Sequence, residues 1–210
     1  MYSIRNLRVS DKEDVRRICI ETASASATNT PLKRAVLCDL YCDYYVEYAT
    51  DTSFVAADGD DRAIGYVFCA PDYREYEKNY RKYILPVLRK HKFSRALTKN
   101  LELVFERKLA RGMPAHLHID ILQEAQRQGI GHRLMNALMF RLKELGVSKV
   151  YLVVGTSNVK GVSFYEKYGF EAVRELPGSR QYAIDVEEKC AELESRGVAS
   201  EAERLQPQAD

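Results

Sequence analysis

An alternating run at residues 115–122, Ala-His-Leu-His-Ile-Asp-Ile-Leu, leads into Gln126-Arg127-Gln128-Gly129-Ile130-Gly131. An apolar stripe at helical spacing follows: Ile130, Leu134, Ala137, Leu138, Leu142 and Leu145, with Gly146 as its stop. A switch from period 2 to period 3.6 across a glycine turn predicts a strand feeding an amphipathic helix. The turn carries chemistry as well as shape. Free N–H groups and the positive end of the helix dipole can receive a diphosphate there. Gly129 and Gly131 remove side chains that would hold a phosphate away from the amides. Arg127 can add a charge-assisted contact.

The flanking sequence completes a mixed pattern. Residues 2–8 read as a strand, Val15, Ile18 and Cys19 as a helix, 23–31 as a loop, and 34–49 as one amphipathic helix. Residues 54–57 and 63–70 form a hairpin around Gly59-Asp60-Asp61. A tyrosine-rich helix, Tyr73 to Leu88, should bend or break at Pro86, and another covers 94–110. Beyond the central helix come a buried strand at 149–154, a helix at 159–168, strands near 170–175 and 181–186, and a short acidic helix reaching Arg196. Such alternation implies one central sheet with helices on its faces. A single domain over 1–196 is expected, with an apolar-poor, flexible tail at 197–210.

Composition bounds the class. Of 210 residues 46% are hydrophobic and 30% charged, which fits a folded globular chain. No apolar run is long enough for a membrane span, and the first residues lack a signal-peptide pattern. Net charge of +2 is no nucleic-acid footprint. The charge is nevertheless uneven: residues 39–61 hold seven acids and no Lys or Arg, whereas 74–99 hold nine Lys/Arg against two Glu. Solvated helix faces explain this, and so does a site with a cationic acceptor on one side and an anionic cofactor on the other. Five scattered cysteines, without metal-type spacing, predict a reduced, intracellular (cytoplasmic) protein with no metal.

The Gln-x-x-Gly-x-Gly turn, after a strand and before an amphipathic helix, resembles the acetyl-CoA motif of the GNAT N-acetyltransferases. A second match lies downstream. Asn158-Val159-Lys160-Gly161-Val162-Ser163-Phe164-Tyr165-Glu166-Lys167-Tyr168-Gly169-Phe170 resembles the family's Asn-x-x-(small)…Tyr-x-x-x-Gly-Phe signature. The element order fits over roughly residues 2–186. One departure is the long helical insert at 72–110, between the third and fourth strands. That insert, the Leu37-Cys38-Asp39-Leu40-Tyr41-Cys42-Asp43-Tyr44-Tyr45 run and His116-Leu117-His118-Ile119-Asp120 resemble the acetyltransferase-like domain attached to O-GlcNAc hydrolases. That group includes domains of doubtful catalytic competence.

The resemblance implies an α/β (α+β) GNAT fold: a mixed, mostly antiparallel sheet of six or seven strands with helices on both faces. It implies that strands 115–122 and 149–154 splay apart, with pantetheine in the gap on backbone groups of Ile121 and Leu122. Gln128, Gly129, Ile130, Gly131 and His132 would wrap the pyrophosphate, and Asn158 would hold the pantetheine arm or order its loop. Acetyl-CoA would donate its acetyl group directly to an amine acceptor in a ternary complex. Dimers are common in the family, so a homodimer is one expectation.

Transfer to an amine requires a base, an oxyanion donor and an acid for the leaving thiolate. Tyr165 matches the family's acid, and a backbone N–H near Ile121 would serve the oxyanion. His116, His118 and Asp120 share one strand face, and His118 or Asp120 is a candidate base. Counting back from Gln126 places them on the parity opposite to the base of several familiar GNAT enzymes, unless a β-bulge intervenes. Glu47 and Asp43 are alternative bases or acceptor-recognition groups, and a water relay is another. The tyrosines at 73, 76, 80 and 83 are either core or an acceptor cage, and the inserted helices would form a lid. A catalytically inactive module that keeps the fold and cofactor remains the competing function.

Overall fold

The computed structural model describes residues 2–198. Seven strands form one sheet: β1 (Ser3–Asn6), β2 (Phe54–Ala57), β3 (Ala63–Ala70), β4 (Ala115–Ile121), β5 (Lys149–Gly155), β6 (Glu171–Leu176) and β7 (Ser179–Asp185). Their spatial order is β1-β2-β3-β4-β5-β7-β6. Every pairing is antiparallel except β4 with β5. The mixed, mostly antiparallel sheet expected from the sequence is therefore present.

Among the described residues ten α-helices flank it: α1 (Lys12–Thr22), α2 (Ala25–Thr28), α3 (Pro31–Tyr41), α4 (Asp43–Tyr48), α5 (Tyr73–Asn79), α6 (Leu85–His91), α7 (Phe93–Leu109), α8 (Ile130–Glu144), α9 (Val159–Tyr168) and α10 (Val186–Ser195). Strand alternation divides the core between the two sheet faces. On one face Val67, Cys69 and Leu117 pack with the buried stripe of α8 and with Cys190 and Leu193 of α10. On the other, Tyr66, Phe68 and Ala70 pack with Val15, Ile18, Tyr45, Tyr76 and Leu103.

Several elements differ from the sequence reading. The first strand is only Ser3–Asn6, and the 23–31 segment contains the short helix α2. The helix expected at 34–49 is interrupted at Cys42, whose φ and ψ of −127° and −57° are not helical. The break re-aims the tyrosines that follow. Tyr45 stacks on Phe68 at 5.0 Å, and Tyr44 meets Tyr76 edge-on at 4.6 Å. Pro86 does not end its helix. A π-helical turn at Tyr80–Ile84 comes first, and Pro86 then sits in the opening turn of α6, where its missing N–H is tolerated. In the expected tail, Gly197 turns at φ 71° and the Val198 N–H returns to the Leu193 carbonyl; residues 199–210 lie outside the described residues.

Candidate active site

The ladder between β4 and β5 is two residues long: Ala115 opposite Val150 and His116 opposite Tyr151. Both strands run on, to Ile121 and Gly155, without further pairing to each other. This is the splay expected between these strands. On its other side β4 stays in continuous register with β3, from Gly65 opposite Ile121 to Ala70 opposite His116. The next pair outward is bonded, since the Leu122 N–H donates to the Ile64 carbonyl at 3.0 Å. Antiparallel alternation then turns the backbone of 116, 118 and 120 toward β3 and that of 117, 119 and 121 into the gap.

Ile121 thus presents its backbone to the gap, where Gln126 Nε2 donates to its carbonyl at 3.0 Å. Leu122 does not. Its N–H is taken by Ile64 and its carbonyl by the Ala125 N–H at 2.9 Å.

At the mouth of the gap, Arg127 and Gly129 both adopt left-handed backbone, φ 62° and 78°. Gly129 caps α8, and no side chain caps the helix's first N–H groups. Those amides suit a diphosphate. Tyr2 donates to the Gln128 carbonyl, and Gln128 Nε2 to the Glu124 carbonyl at 3.0 Å. Ile130 is buried in the core, whereas His132 is exposed with its ring edge-on to Phe164 at 5.4 Å. Gly131 has a packing reason to be glycine. A Cβ there would lie 3.0 Å from the Phe164 ring and 3.4 Å from Ile121 Cδ1. Asn158 orders its loop: as the N-cap of α9, its Oδ1 accepts the Gly161 N–H at 3.0 Å.

β4 carries no bulge in its register with β3, so His116, His118 and Asp120 keep the parity read from the sequence. They face the α1, α3 and α4 side. His116 Nε2 meets the Tyr45 hydroxyl at 3.0 Å, while its Nδ1 is buried without a partner. Burial lowers the basicity of both histidines, assisted by the nearby Lys99 charge. His118 falls to about 4 and is neutral at pH 7. Asp120 moves the opposite way. Burial raises its carboxyl to about 6, against hydrogen bonds from Tyr66 and Thr22 that hold it down. The Tyr66 hydroxyl donates to Asp120 Oδ2 at 2.7 Å.

Tyr165 of α9 is half-buried and makes no hydrogen bond to another described residue. Burial and the charge of Asp120 push its phenol upward, so it is a neutral donor across the working pH range. The alternative acids are engaged: Glu47 with Lys12 at 2.5 Å and Asp43 with Arg16 at 2.6 Å. Tyr73, Tyr76 and Tyr80 are buried core residues, while Tyr83 is partly exposed and stacks on Tyr48 at 4.9 Å.

Two contributors had no local signal in the sequence. Tyr66 lies 54 residues from Asp120, and only the hairpin register places it opposite. The Lys99–Glu106 pair at 2.8 Å comes from the insert, and Glu106 also accepts from Tyr73 at 3.2 Å. Among the described residues no cluster of three His, Cys, Asp or Glu fits a metal ion, and no helix is long and apolar enough to cross a membrane.

A sheet opened between its two parallel strands, with a glycine-capped helix at the mouth of the opening, is the arrangement that the resemblance to the GNAT fold implied. Residues 21–170 match the model of the acetyltransferase (GNAT) family, and the chain belongs to that family. An N-alpha-acetyltransferase of Sulfurisphaera tokodaii is 26% identical over 188 residues, 89% of each chain. The crystal structure of SsHAT superposes with a TM-score of 0.79 at 26% identity, covering 88% of this chain and 98% of that one. The PaiA N-acetyltransferase of Thermoplasma acidophilum, solved with coenzyme A, shares the fold with a TM-score of 0.56 at 15% identity, covering 88% and 99%.

Proposed function

We propose that this acetyltransferase moves the acetyl group of acetyl-CoA directly to the α-amine of a peptide or protein, within a ternary complex. The observation that carries the reading is the two-residue β4–β5 ladder, which leaves the backbone of Ile119 and Ile121 directed into a gap. Acetyl-CoA supplies an activated thioester; the remaining steps belong to the chain.

The N–H groups at the start of α8, with Arg127, hold the diphosphate. The Ile121 N–H side of β4 receives the pantetheine amides and polarises the thioester carbonyl as negative charge builds on its oxygen. Asp120 takes the proton of the attacking ammonium, and Tyr165 gives a proton to the departing thiolate.

A carboxylate base favours an α-amine over a lysine by the difference between the two ammonium pKa values, whatever its own. An α-ammonium has a pKa near 7.8, so proton transfer to a carboxylate at about 6 is uphill by about 2.5 kcal/mol. A lysine ammonium near 10.4 would face about 6 kcal/mol. The relative's name, N-alpha-acetyltransferase, points the same way.

The test pairs calorimetric titration with acetyl-CoA and an assay on two peptide sets, one with a free α-amine and no lysine, the other with a blocked α-amine and a lysine. Acetylation of the first set alone is expected. Exclusive lysine acetylation would overturn the acceptor assignment, and absence of acetyl-CoA binding would overturn the enzyme reading.

A further inference from the structure

The inserted helix α7 is inside out. Its inward arc is partly ionic. Lys99 is only 6% exposed and pairs with Glu106 at 2.8 Å, and Arg95 pairs with Glu102 at 2.8 Å. The Tyr73 hydroxyl donates to the Leu103 carbonyl on the same side at 2.8 Å. The outward arc is apolar. Phe93, Leu97, Leu101, Val104 and Phe105 are 63%, 57%, 66%, 47% and 49% exposed. At about 100° per residue these five fall within a sector of roughly 120°. Together they expose on the order of 500 Å² of apolar surface, as much as the largest patch on a typical monomer.

The stripe is also a palindrome. Phe93, Leu97, Leu101 and Phe105 follow one another at four-residue steps and read the same in either direction. A two-fold axis through the outer face at the level of residue 99 brings Phe93 onto Phe105 of a second copy and Leu97 onto its Leu101. That is the condition for an isologous contact, in which one surface is its own complement.

Most of the charge on α7 is settled within the chain. Arg95, Lys99 and Arg107 are held by Glu102, Glu106 and Glu77, so three of the helix's cations are neutralised within the chain. No acid lies on the outward arc, whose polar members are Ser94 and Lys108, and the Arg89 guanidinium lies over the Phe93 ring at 5.6 Å.

We propose that the outer face of α7 is a homodimer interface, two copies packing α7 against α7 in antiparallel fashion about the Leu97–Leu101 midpoint. Pairing would bury about 1,000 Å² from the two stripes plus a rim, the low end for a specific interface, so dissociation in the micromolar range follows. Because the inner arc of α7 backs the buried tyrosine cluster, the contact braces that cluster from outside.

Sedimentation velocity from about 1 to 200 µM tests the proposal. The native protein should pass from the mass of one chain to twice that mass. Leu97→Glu and Leu101→Glu should each remain monomeric throughout, with unchanged circular dichroism and melting temperature, since both side chains face solvent in the single chain. Should a variant misfold, cross-linking decides. Phe93→Cys chains mixed with Phe105→Cys chains should form a disulfide between copies, and Phe93→Cys chains alone should not. A native protein monomeric at 200 µM, a dimer that survives both glutamates, or Phe93→Cys chains linking to themselves would each overturn it. So would a monomer that sediments with phosphatidylserine vesicles, which would assign the stripe to a membrane.

Discussion

The Tyr66 hydroxyl reaches across the β3–β4 pair and donates 2.7 Å to Asp120 Oδ2. This bond opposes the burial that lifts the carboxyl to about 6. Tyr66, together with Thr22, therefore favours the ionised, proton-accepting form of Asp120.

The rate should depend on pH accordingly. In the native enzyme kcat/KM should fall on the acid side with an apparent pKa near 6, as Asp120 protonates. Tyr66→Phe removes a stabilising donor and should move that limb upward by up to about one pH unit. A limb unmoved by Tyr66→Phe would assign the titration to another group.

Replacing Asp120 itself should separate stability from activity. Its folded pKa lies above its unfolded value near 3.8, so the folded state holds the proton more tightly. Stability then falls as pH rises through roughly 4 to 6 and stays lower above that window. Asp120→Asn removes the buried charge and should raise stability at pH 7.5 by up to about 3 kcal/mol, while kcat/KM drops about 100-fold or more. Thermal melts at pH 4 and pH 7.5, beside the assay, check both signs.

Tyr165→Phe should lower kcat about 10- to 100-fold with little change in the KM for acetyl-CoA or in melting temperature. The hydroxyl bonds to no other described residue, so its loss leaves no partner unpaired.

The diphosphate turn offers a paired test. Arg127 holds φ 62°, a left-handed conformation that costs a side chain roughly 1 kcal/mol. Arg127→Gly should stabilise the free protein by about that amount while weakening acetyl-CoA binding several-fold. Gly131→Ala should instead force the Phe164 ring to give by a few tenths of an ångström, so Phe164→Leu in the same chain should make the alanine better tolerated than it is in the native background. Denaturant titrations and calorimetry read both.

Periodicity made much of this fold legible. The run at 115–122 and the stripe from Ile130 each show a clear period, the hairpin at 54–70 is marked by its Gly59-Asp60-Asp61 turn, and each folds as read. Reading failed where tertiary packing overrides local pattern. The break at Cys42 interrupts a stripe that is locally a good helix, and what it gains, the stacking of Tyr45 on Phe68, involves a strand 23 residues further on. The candidate site divides the same way. Its glycines, Asn158 and Tyr165 stand in recognisable local motifs. The tuning of Asp120 rests on Tyr66 and Thr22, which only register and helix packing bring to it. Leu122 could not be told from Ile121 without knowing which strand face bonds to β3.

The two-residue ladder between β4 and β5 has a mechanical consequence. The sheet is two panels, β1 to β4 and β5 with β7 and β6, joined by a seam of two residue pairs. Residues of both panels, Leu117 and Val67 on one side, Val150 and Leu152 on the other, share the core packed around α8. Backbone bonding scarcely crosses the seam, so that helix is the rivet. Cooperativity between the halves is carried by side-chain packing, and a chain of amides laid along the seam would act as the missing strand that welds the panels into one unit.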